Sequence, residues 1–227
     1  MRQLTLGVRL TDRSVLGNFL AGDNSLALAA VSDMAAAGGS GGILLHGVSG
    51  SGKSHLLQAL CSAVPGAALL PLETLAGLGP GVLEGAAALP LVAIDDIDRI
   101  AGDPAWEQAL FRLYNERRGG GLAVAAAAPA TNLGLRLPDL VSRLAALPHY
   151  ALRPLDEVQQ RQALQLRARL RGFELPEETV VFLQRRFPRD MTRLAVLLDE
   201  LDAASLAEQR RVTVPFIRQV LGMADGS

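Results

Sequence analysis

The chain has few residues of the kinds that cross-link a protein, anchor it in a membrane or attract nucleic acid. Cys61 is the one cysteine among 227 residues, which excludes an internal disulfide bond and fits a reducing compartment. The apolar runs are too short to span a bilayer, so we predict a soluble, cytoplasmic protein without a membrane partner. The formal net charge of −1 provides no overall basic field for holding DNA.

Lysine is also scarce, and its single occurrence is informative. Every basic residue among the 22 Lys and Arg is Arg, except Lys53. Lys53 lies in a segment that fits the phosphate-loop pattern G-x-x-x-x-G-K-[ST], namely Gly47, Val48, Ser49, Gly50, Ser51, Gly52, Lys53 and Ser54. Glycines let backbone N–H groups point at phosphate oxygens, the lysine reaches the terminal phosphates, and the Ser54 hydroxyl can bind Mg²⁺. The segment predicts a nucleotide site, in which we include the following residue, His55.

Short apolar runs alternate with helical periodicity in the first two thirds of the chain. They predict strands at 42–46, 67–70, 91–94, 122–128 and 149–152, and helices at 25–37, 53–63, 106–118 and 138–147, with 77–90 as loop or broken helix. Beyond residue 153 the pattern is helical, at 156–171, 176–186, 190–207 and 214–221. Asp156, Asp190 and Thr213 are candidate N-caps, and Pro176 suits a first helical position. The fold class is therefore α/β: a parallel P-loop sheet followed by an all-helical domain.

A second element of the nucleotide site follows the buried run at 91–94. That run ends in Asp95 and Asp96, where a carboxylate can orient Mg²⁺ together with Ser54. The alternative is that these acids only cap a helix after the strand. His46 and His55 flank the loop without partners at metal-ligand spacing, so structural roles are expected for both.

The order of these motifs resembles the AAA+ family of ATPases, and particular segments resemble the Hda family of DnaA-related regulators. The segments are GVSGSGKSHLLQA at 47–59, LVAIDDIDRI at 91–100, AGDPAWEQALFRLYN at 101–115, LPDLVSRL at 137–144 and LQLRARLRGFEL at 164–175. The resemblance implies a clamp-binding tail at 1–10, an AAA+ core at 11–153 and a helical lid at 154–227. A DNA-binding helix-turn-helix domain, which DnaA carries after the lid, is not expected.

The resemblance also implies roles for residues outside the phosphate loop. Gln3, Leu4 and Leu6 match the peptide that binds the replicative sliding clamp, the β subunit of DNA polymerase III, so contact with DNA would pass through the clamp. Arg143, in Ser142-Arg143-Leu144, matches the arginine finger that acts in trans on a neighbour's ATP. The lid arginine that senses nucleotide usually stands at the position of Thr192, so Arg193 or Arg189 would take its place.

The implied function is regulation of the initiator DnaA, with ADP or ATP and Mg²⁺ as cofactors and a homo-oligomer as a further state. Asp96 stands where relatives hold the glutamate that polarises the attacking water, and 125–128 is all alanine where relatives carry a polar residue. We therefore expect nucleotide, chiefly ADP, to be held more than hydrolysed. The alternatives are an autonomous ATPase or helicase loader, and an adaptor whose ADP is structural. Arg167, Arg169 and Arg171 are expected to form a solvated helix face, with a local binding patch as the alternative.

Overall fold

The computed structural model describes residues 14–117, 119–187, 191–208 and 210–222. By Cα proximity the chain divides into an α/β unit, Val15–Asp156, and a helical unit that begins at Glu157. Among the described residues, no helix is long and apolar enough to cross a membrane. Both parts of the predicted fold class are thus present, an α/β sheet and an all-helical segment after it.

The α/β unit is built on a five-stranded parallel sheet in the order β2-β3-β4-β1-β5. Its strands are β1 (Gly42–His46), β2 (Ala68–Pro71), β3 (Leu91–Asp95), β4 (Gly121–Ala126) and β5 (His149–Ala151). Its helices are α1 (Ser25–Ala36), α2 (Lys53–Ala63), the single turn α3 (Leu72–Leu75), α4 (Pro104–Glu116) and α5 (Pro138–Ala145), with short 3₁₀ turns between 76 and 88.

Helices cover both faces of this sheet because successive side chains of a strand point to opposite sides. In β3, Leu91 and Ala93 pack in one apolar cluster with residues of α1 and α2. Val92 and Ile94 pack in the other cluster, with residues of α4 and α5. All five residues of β3 are buried, as expected for a parallel strand covered on both faces.

The helical unit has its own apolar core. It consists of α6 (Glu157–Leu170), α7 (Glu177–Arg186), α8 (Met191–Glu208) and α9 (Val214–Val220). Its core includes Leu164, Val180, Leu198 and Phe216, each 0% exposed. Thr213 caps α9 by accepting a hydrogen bond from the Phe216 N–H, as predicted, while Asp190 lies outside the described residues. Pro176 precedes α7 instead of occupying its first turn, because its ψ of 152° is extended.

The arginine-rich end of α6 is only partly the solvated face that the sequence predicts. Arg169 is exposed, but Arg171 is largely buried and its Nη2 lies 2.6 Å from Asp199 Oδ1. Charge-assisted contacts of this length bind one helix to another more tightly than exposed pairs do. Arg171, the residue just after α6, therefore joins the end of that helix to α8. The expectation of a solvated side chain is wrong for this residue.

Candidate nucleotide site

The phosphate-loop residues lie at the carboxyl end of the sheet, in the order strand, loop, helix that such a loop requires. β1 ends at His46, the loop runs from Gly47 to Gly52, and α2 begins at Lys53. The Gly47 N–H donates to the carbonyl of Ala126 at the end of β4, over 3.2 Å. The loop is thus held by its own strand and by the neighbouring strand, in the region where open α/β sheets bind ligands.

Two glycines of the loop approach other groups too closely for a side chain. Gly52 has φ = +101°, and a Cβ there would lie 2.7 Å from Cε2 of Phe19. A Cβ on Gly47 would overlap the carbonyl oxygen of Leu152. The path of the loop therefore depends on glycine at these two positions.

Lys53 is oriented inward at the start of α2. Its side chain is 7% exposed, and Nζ donates to the carbonyls of Gly47 and Val48 at 2.7 and 3.0 Å. The ammonium group thus lies inside the curve of the loop, where a phosphate group would be placed by the helix N-terminus. The buried Ser51 hydroxyl has no hydrogen-bond partner among the described residues, so the loop also retains an unsatisfied polar group.

Asp95 is a buried carboxylate whose pKa is influenced by Ser54 and Lys53. Asp95, the last residue of β3, is 4% exposed, and burial is the largest cause of the rise in its pKa. A hydrogen bond from the Ser54 hydroxyl and the charge of Lys53 oppose that rise. A buried carboxylate beside a hydroxyl provides the hard oxygen ligands that Mg²⁺ prefers. The residues present therefore fit a nucleotide with its magnesium ion.

Asp96 does not form the side-chain helix cap that was the alternative explanation. It has left-handed backbone angles, φ 56° and ψ 48°, and no capping hydrogen bond from its side chain to the turn Ile97–Ile100. Burial, followed by the charges of Asp95, Asp98 and Glu73, raises its pKa. A non-glycine residue in this region is uncommon, although Asp adopts it more readily than most.

Asp98 is a member of this site that the sequence reasoning missed. Its Oδ1 accepts a hydrogen bond from the N–H of Ala127, 3.0 Å away, just after β4. The alanine run there provides no polar side chain, and β4 itself ends at Ala126, two residues earlier than predicted. The repeated acids at 95, 96 and 98 were the available signal.

The two histidines beside the loop pack within the protein. The buried ring of His55 packs against Phe19, 5.4 Å between centroids, and its Nε2 lies 3.4 Å from the carbonyl of Val15. The ring of His46 lies 6.1 Å from that of His149. Burial is the main cause that lowers the pKa of His46, with His149 and Lys53 adding to it.

Burial also raises the pKa of the Cys61 thiol to about 12, which keeps it unreactive at neutral pH.

Arg143 lies on the exposed side of α5. Its neighbours in the helix, Leu140 and Leu144, are both 0% exposed and face the core. Its guanidinium carbon lies 5.9 Å from the ring centroid of Tyr114 on α4. Within the described part of the chain, Arg143 forms no ion pair, so its charge is available to another molecule.

The remaining predicted residues lie in the N-terminal segment and in the second half of the chain, after the α/β unit. Arg193 is exposed in the first turn of α8, in the helical unit. Arg189, the other candidate for contact with nucleotide, lies outside the described residues, as do Gln3, Leu4 and Leu6.

Comparison with known proteins agrees with this architecture. Residues 156–221 match the family model described as Hda, lid domain. Domain III of the replication initiation protein DnaA from Thermotoga maritima is similar to the chain with a TM-score of 0.74 and 23% identity, over 92% of this chain and 95% of that one. AMPPCP-bound DnaA from Aquifex aeolicus matches with a TM-score of 0.63 and 16% identity, over 93% and 88%. Orc1 from Aeropyrum pernix, solved with DNA, matches with 0.65 and 16%, over 89% and 64%.

These findings establish the fold and the type of lid. The sheet and helices have the architecture of DnaA domain III, and residues 156–221 match the Hda lid.

Proposed function

We propose that this protein regulates replication initiation by stimulating the hydrolysis of ATP bound to DnaA, acting with ADP and the DNA-loaded sliding clamp. The observation that carries the proposal is the match of residues 156–221 to the Hda lid in a chain with the fold of DnaA domain III. Hydrolysis would convert the initiator to its ADP form and prevent a second initiation in the same cycle. DnaA would then be the main protein partner, and the protein's contact with DNA would be indirect.

The protein's own nucleotide would be held by the phosphate loop. Residues 47–52 would bind phosphate oxygens through backbone N–H groups, Lys53 through its ammonium group, and Ser54 and Asp95 would hold Mg²⁺. His55 would support the loop from behind, and Arg193 or Arg189 would reach the nucleotide from the lid. The burial of Lys53 and the influence of Ser54 on the pKa of Asp95 support this assignment, as does the AMPPCP in the similar DnaA structure.

Asp96 and the end of β4 favour only weak ATP hydrolysis by this chain itself. Asp96 is shorter than the glutamate that polarises water in related ATPases. Residues 125–128 are all alanine and have no polar side chain. The backbone N–H of Ala127, just after β4, already donates to Asp98. The chain would therefore retain nucleotide, chiefly ADP, more than it consumes ATP.

Arg143 would act on the neighbouring subunit. A guanidinium is always charged and can bridge the γ-phosphate oxygens as charge develops in the transition state. Its exposure on α5 and its lack of an ion pair in the described residues support a role outside this chain. An arginine supplied in trans accelerates GTPases by about 10³–10⁵.

Gln3, Leu4 and Leu6 would attach the protein to the sliding clamp. The glutamine would hydrogen-bond at the rim of the clamp pocket while the two leucines fill its apolar sub-sites. This part of the proposal rests on the sequence. Replacing Gln3 and Leu4 by Ala should weaken clamp binding about thirtyfold or more, the effect of losing an anchor residue, as measured by surface plasmon resonance on immobilised clamp.

The deciding experiment measures hydrolysis of ATP prebound to DnaA, with this protein, ADP and clamp loaded on DNA. Arg143→Ala should lower the stimulated rate on the order of 10²–10³-fold, the effect of losing one donor to the transition state. Clamp binding should not change. Arg185→Ala, an exposed arginine near the end of α7, is the matched control and should retain full stimulation.

Other outcomes would point to other functions. If the protein consumed ATP without DnaA, and Asp96→Asn abolished that turnover, it would be an autonomous ATPase or helicase loader. If it bound the clamp but left DnaA unaffected, it would be an adaptor with structural ADP. Full stimulation by Arg143→Ala would refute the arginine-finger assignment while leaving the regulatory role intact.

A further inference from the structure

Two residues on one face of helix α4 contact helix α5 or the segment that leads into it. Helix α5 carries Arg143. Glu107 and Tyr114 are seven residues apart, which is close to two turns, so both side chains leave α4 in similar directions. Leu110, between them, is 1% exposed and packs in the same apolar cluster as Leu140 and Leu144. The face that carries Glu107 and Tyr114 is therefore directed towards α5.

Glu107 holds the segment that leads into α5. The residue is 1% exposed, and its carboxylate accepts from the N–H groups of Gly102 at 2.7 Å, Arg136 at 2.9 Å and Leu137 at 2.7 Å. Leu137 occupies the N-cap position of α5 and has no polar side chain with which to cap it. From another helix, Glu107 instead fixes the N-cap residue and the residue before it, and so holds the point at which α5 begins.

Tyr114 contacts the guanidinium itself. The ring centroid lies 4.9 Å from the guanidinium carbon of Arg117 and 5.9 Å from that of Arg143. Arg117 is anchored, because its Nη1 donates to the carbonyl of Gly120 at 3.1 Å. The ring is thus held on one side by a fixed cation, and it attracts the more exposed Arg143 through its electron-rich face.

We propose that Glu107 and Tyr114 are positioning residues for Arg143, a role that rests on the proposed function. Glu107 fixes the start of the helix, and Tyr114 restricts the directions in which the guanidinium can project. An arginine side chain has many rotamers, and restricting them before contact reduces the ordering that insertion into a partner's ATP site requires. Neither residue touches the nucleotide of DnaA.

Tyr114 is tested by comparing Leu with Phe at this position. Tyr114→Leu should lower the maximal stimulated rate of DnaA-bound ATP hydrolysis about two- to fivefold, the effect of losing one exposed cation–π contact. Tyr114→Phe retains the ring and should restore the wild-type rate. In an Arg143→Ala background, Tyr114→Leu should have no further effect, because its influence passes through the arginine. Additive losses in that background, or equal rates for Leu and wild type, would overturn the role of Tyr114.

Glu107 is tested by a measurement that does not depend on DnaA. Glu107→Gln replaces an acceptor oxygen with a donor NH₂, so exchange of the Arg136 and Leu137 amides should become about tenfold faster, as expected for backbone donors that lose an acceptor. Glu116→Gln, at the exposed end of the same helix, is the control and should leave that exchange unchanged. The stimulated rate should fall for Glu107→Gln while clamp binding stays constant.

The outcomes separate this role from the proposed function. Unchanged amide exchange in Glu107→Gln would overturn the role of Glu107, whatever the hydrolysis assay shows. If the wild type stimulates DnaA and Arg143→Ala does not, but the Tyr114 and Glu107 variants match the wild type, positioning is refuted and the regulatory function stands. If the wild type gives no stimulation, the regulatory function fails, and the positioning role with it.

Discussion

Asp95 is almost fully buried, yet the nucleotide site proposed above requires its charge. Burial raises the pKa of Asp95 above its value in the unfolded chain, and the neighbouring charge of Asp98 adds to the rise. A raised pKa means that the folded state binds the proton more tightly than the unfolded state does. The favourable contribution of that proton to stability is complete below the unfolded pKa and is lost as pH rises through the folded pKa. At neutral pH the ionised carboxylate therefore destabilises the nucleotide-free protein.

Asp95→Asn should stabilise the nucleotide-free protein at pH 7, because the amide is neutral and retains an oxygen that can accept from Ser54. We expect the Tm to rise by roughly 2–4 °C, the shift that about 1 kcal/mol produces in a chain of this size. The gain should shrink as pH falls and vanish below about pH 4, where Asp is protonated in both states. Mg²⁺-dependent nucleotide binding should be lost at the same time.

The control for this prediction is Asp33→Asn on α1, where the carboxylate is exposed and the change should alter stability by less than about 0.5 kcal/mol. Thermal unfolding followed by circular dichroism between pH 3 and 8 measures both variants. A lower Tm for Asp95→Asn at pH 7 would contradict the prediction.

Single residues also show where reasoning from the sequence reaches its limit. The positions of Lys53 and Ser54 could be predicted because their spacing reflects one local path of strand, loop and helix. Asp95 could be placed because it ends a continuous apolar run. Glu107 could not be, since an acidic residue in the first turn of a helix usually interacts only with that helix. The donors that explain it include Arg136 and Leu137, which lie about 30 residues away in the chain. Contacts between residues so far apart in the chain leave no periodic pattern in the sequence.

At the scale of the element, α5 is attached to the core by few residues. It has eight residues, and its buried side chains are Leu140 and Leu144, one turn apart and both 0% exposed. A helix this short is not stable by itself and depends on packing. Leu140→Ala should therefore destabilise the α/β unit by about 2–5 kcal/mol and also weaken DnaA stimulation, because α5 carries Arg143.

Leu26→Ala provides the matched change for this prediction. Leu26 is also helical, in α1, but it is 78% exposed, and its replacement should alter stability by less than about 0.5 kcal/mol. Urea unfolding of the two variants gives both free energies. Similar values for Leu140→Ala and Leu26→Ala would show that α5 is not held by this contact.

The boundaries of elements were predicted best where glycine or a change in polarity marks them. β1 and α2 have the predicted limits, because glycine-rich segments precede both. α4 begins at Pro104, two residues before the prediction, since Asp103 caps it by accepting from the N–H groups of Ala105 and Trp106. β2 is shifted by one residue, to Ala68–Pro71, and β4 ends before the predicted limit because a run of alanines does not mark where pairing stops.

At the scale of the whole molecule, the alternation of apolar runs and helical segments predicted a parallel sheet and a separate helical unit. The order of the strands was not predicted, because it depends on which runs pair across the sheet. The apolar cores follow the same division. The described members of the cluster around Phe216 all belong to the helical unit, whereas the two clusters on the sheet contain residues of the α/β unit.

Phe216→Ala should therefore destabilise the helical unit selectively. The ring is 0% exposed, and its removal should cost about 3–5 kcal/mol. Hydrogen exchange should become faster in α6 to α9 while β1, β3 and β4 keep their protection. Leu170→Ala, 59% exposed in the same unit, should leave both patterns unchanged. Faster exchange throughout the sheet would show that the two units unfold together.

The inward orientation of Lys53 has a practical consequence for chemical labelling. Apart from the terminal amine, Lys53 is the one amine in this chain that an amine-directed reagent can modify. Lys53 is 7% exposed, and its Nζ donates to two backbone carbonyls. The other 21 of the 22 Lys and Arg side chains are guanidinium groups, which such reagents leave untouched. The extent of acylation at this one nitrogen, read by mass spectrometry, would therefore report how often the phosphate loop opens, without a probe being introduced.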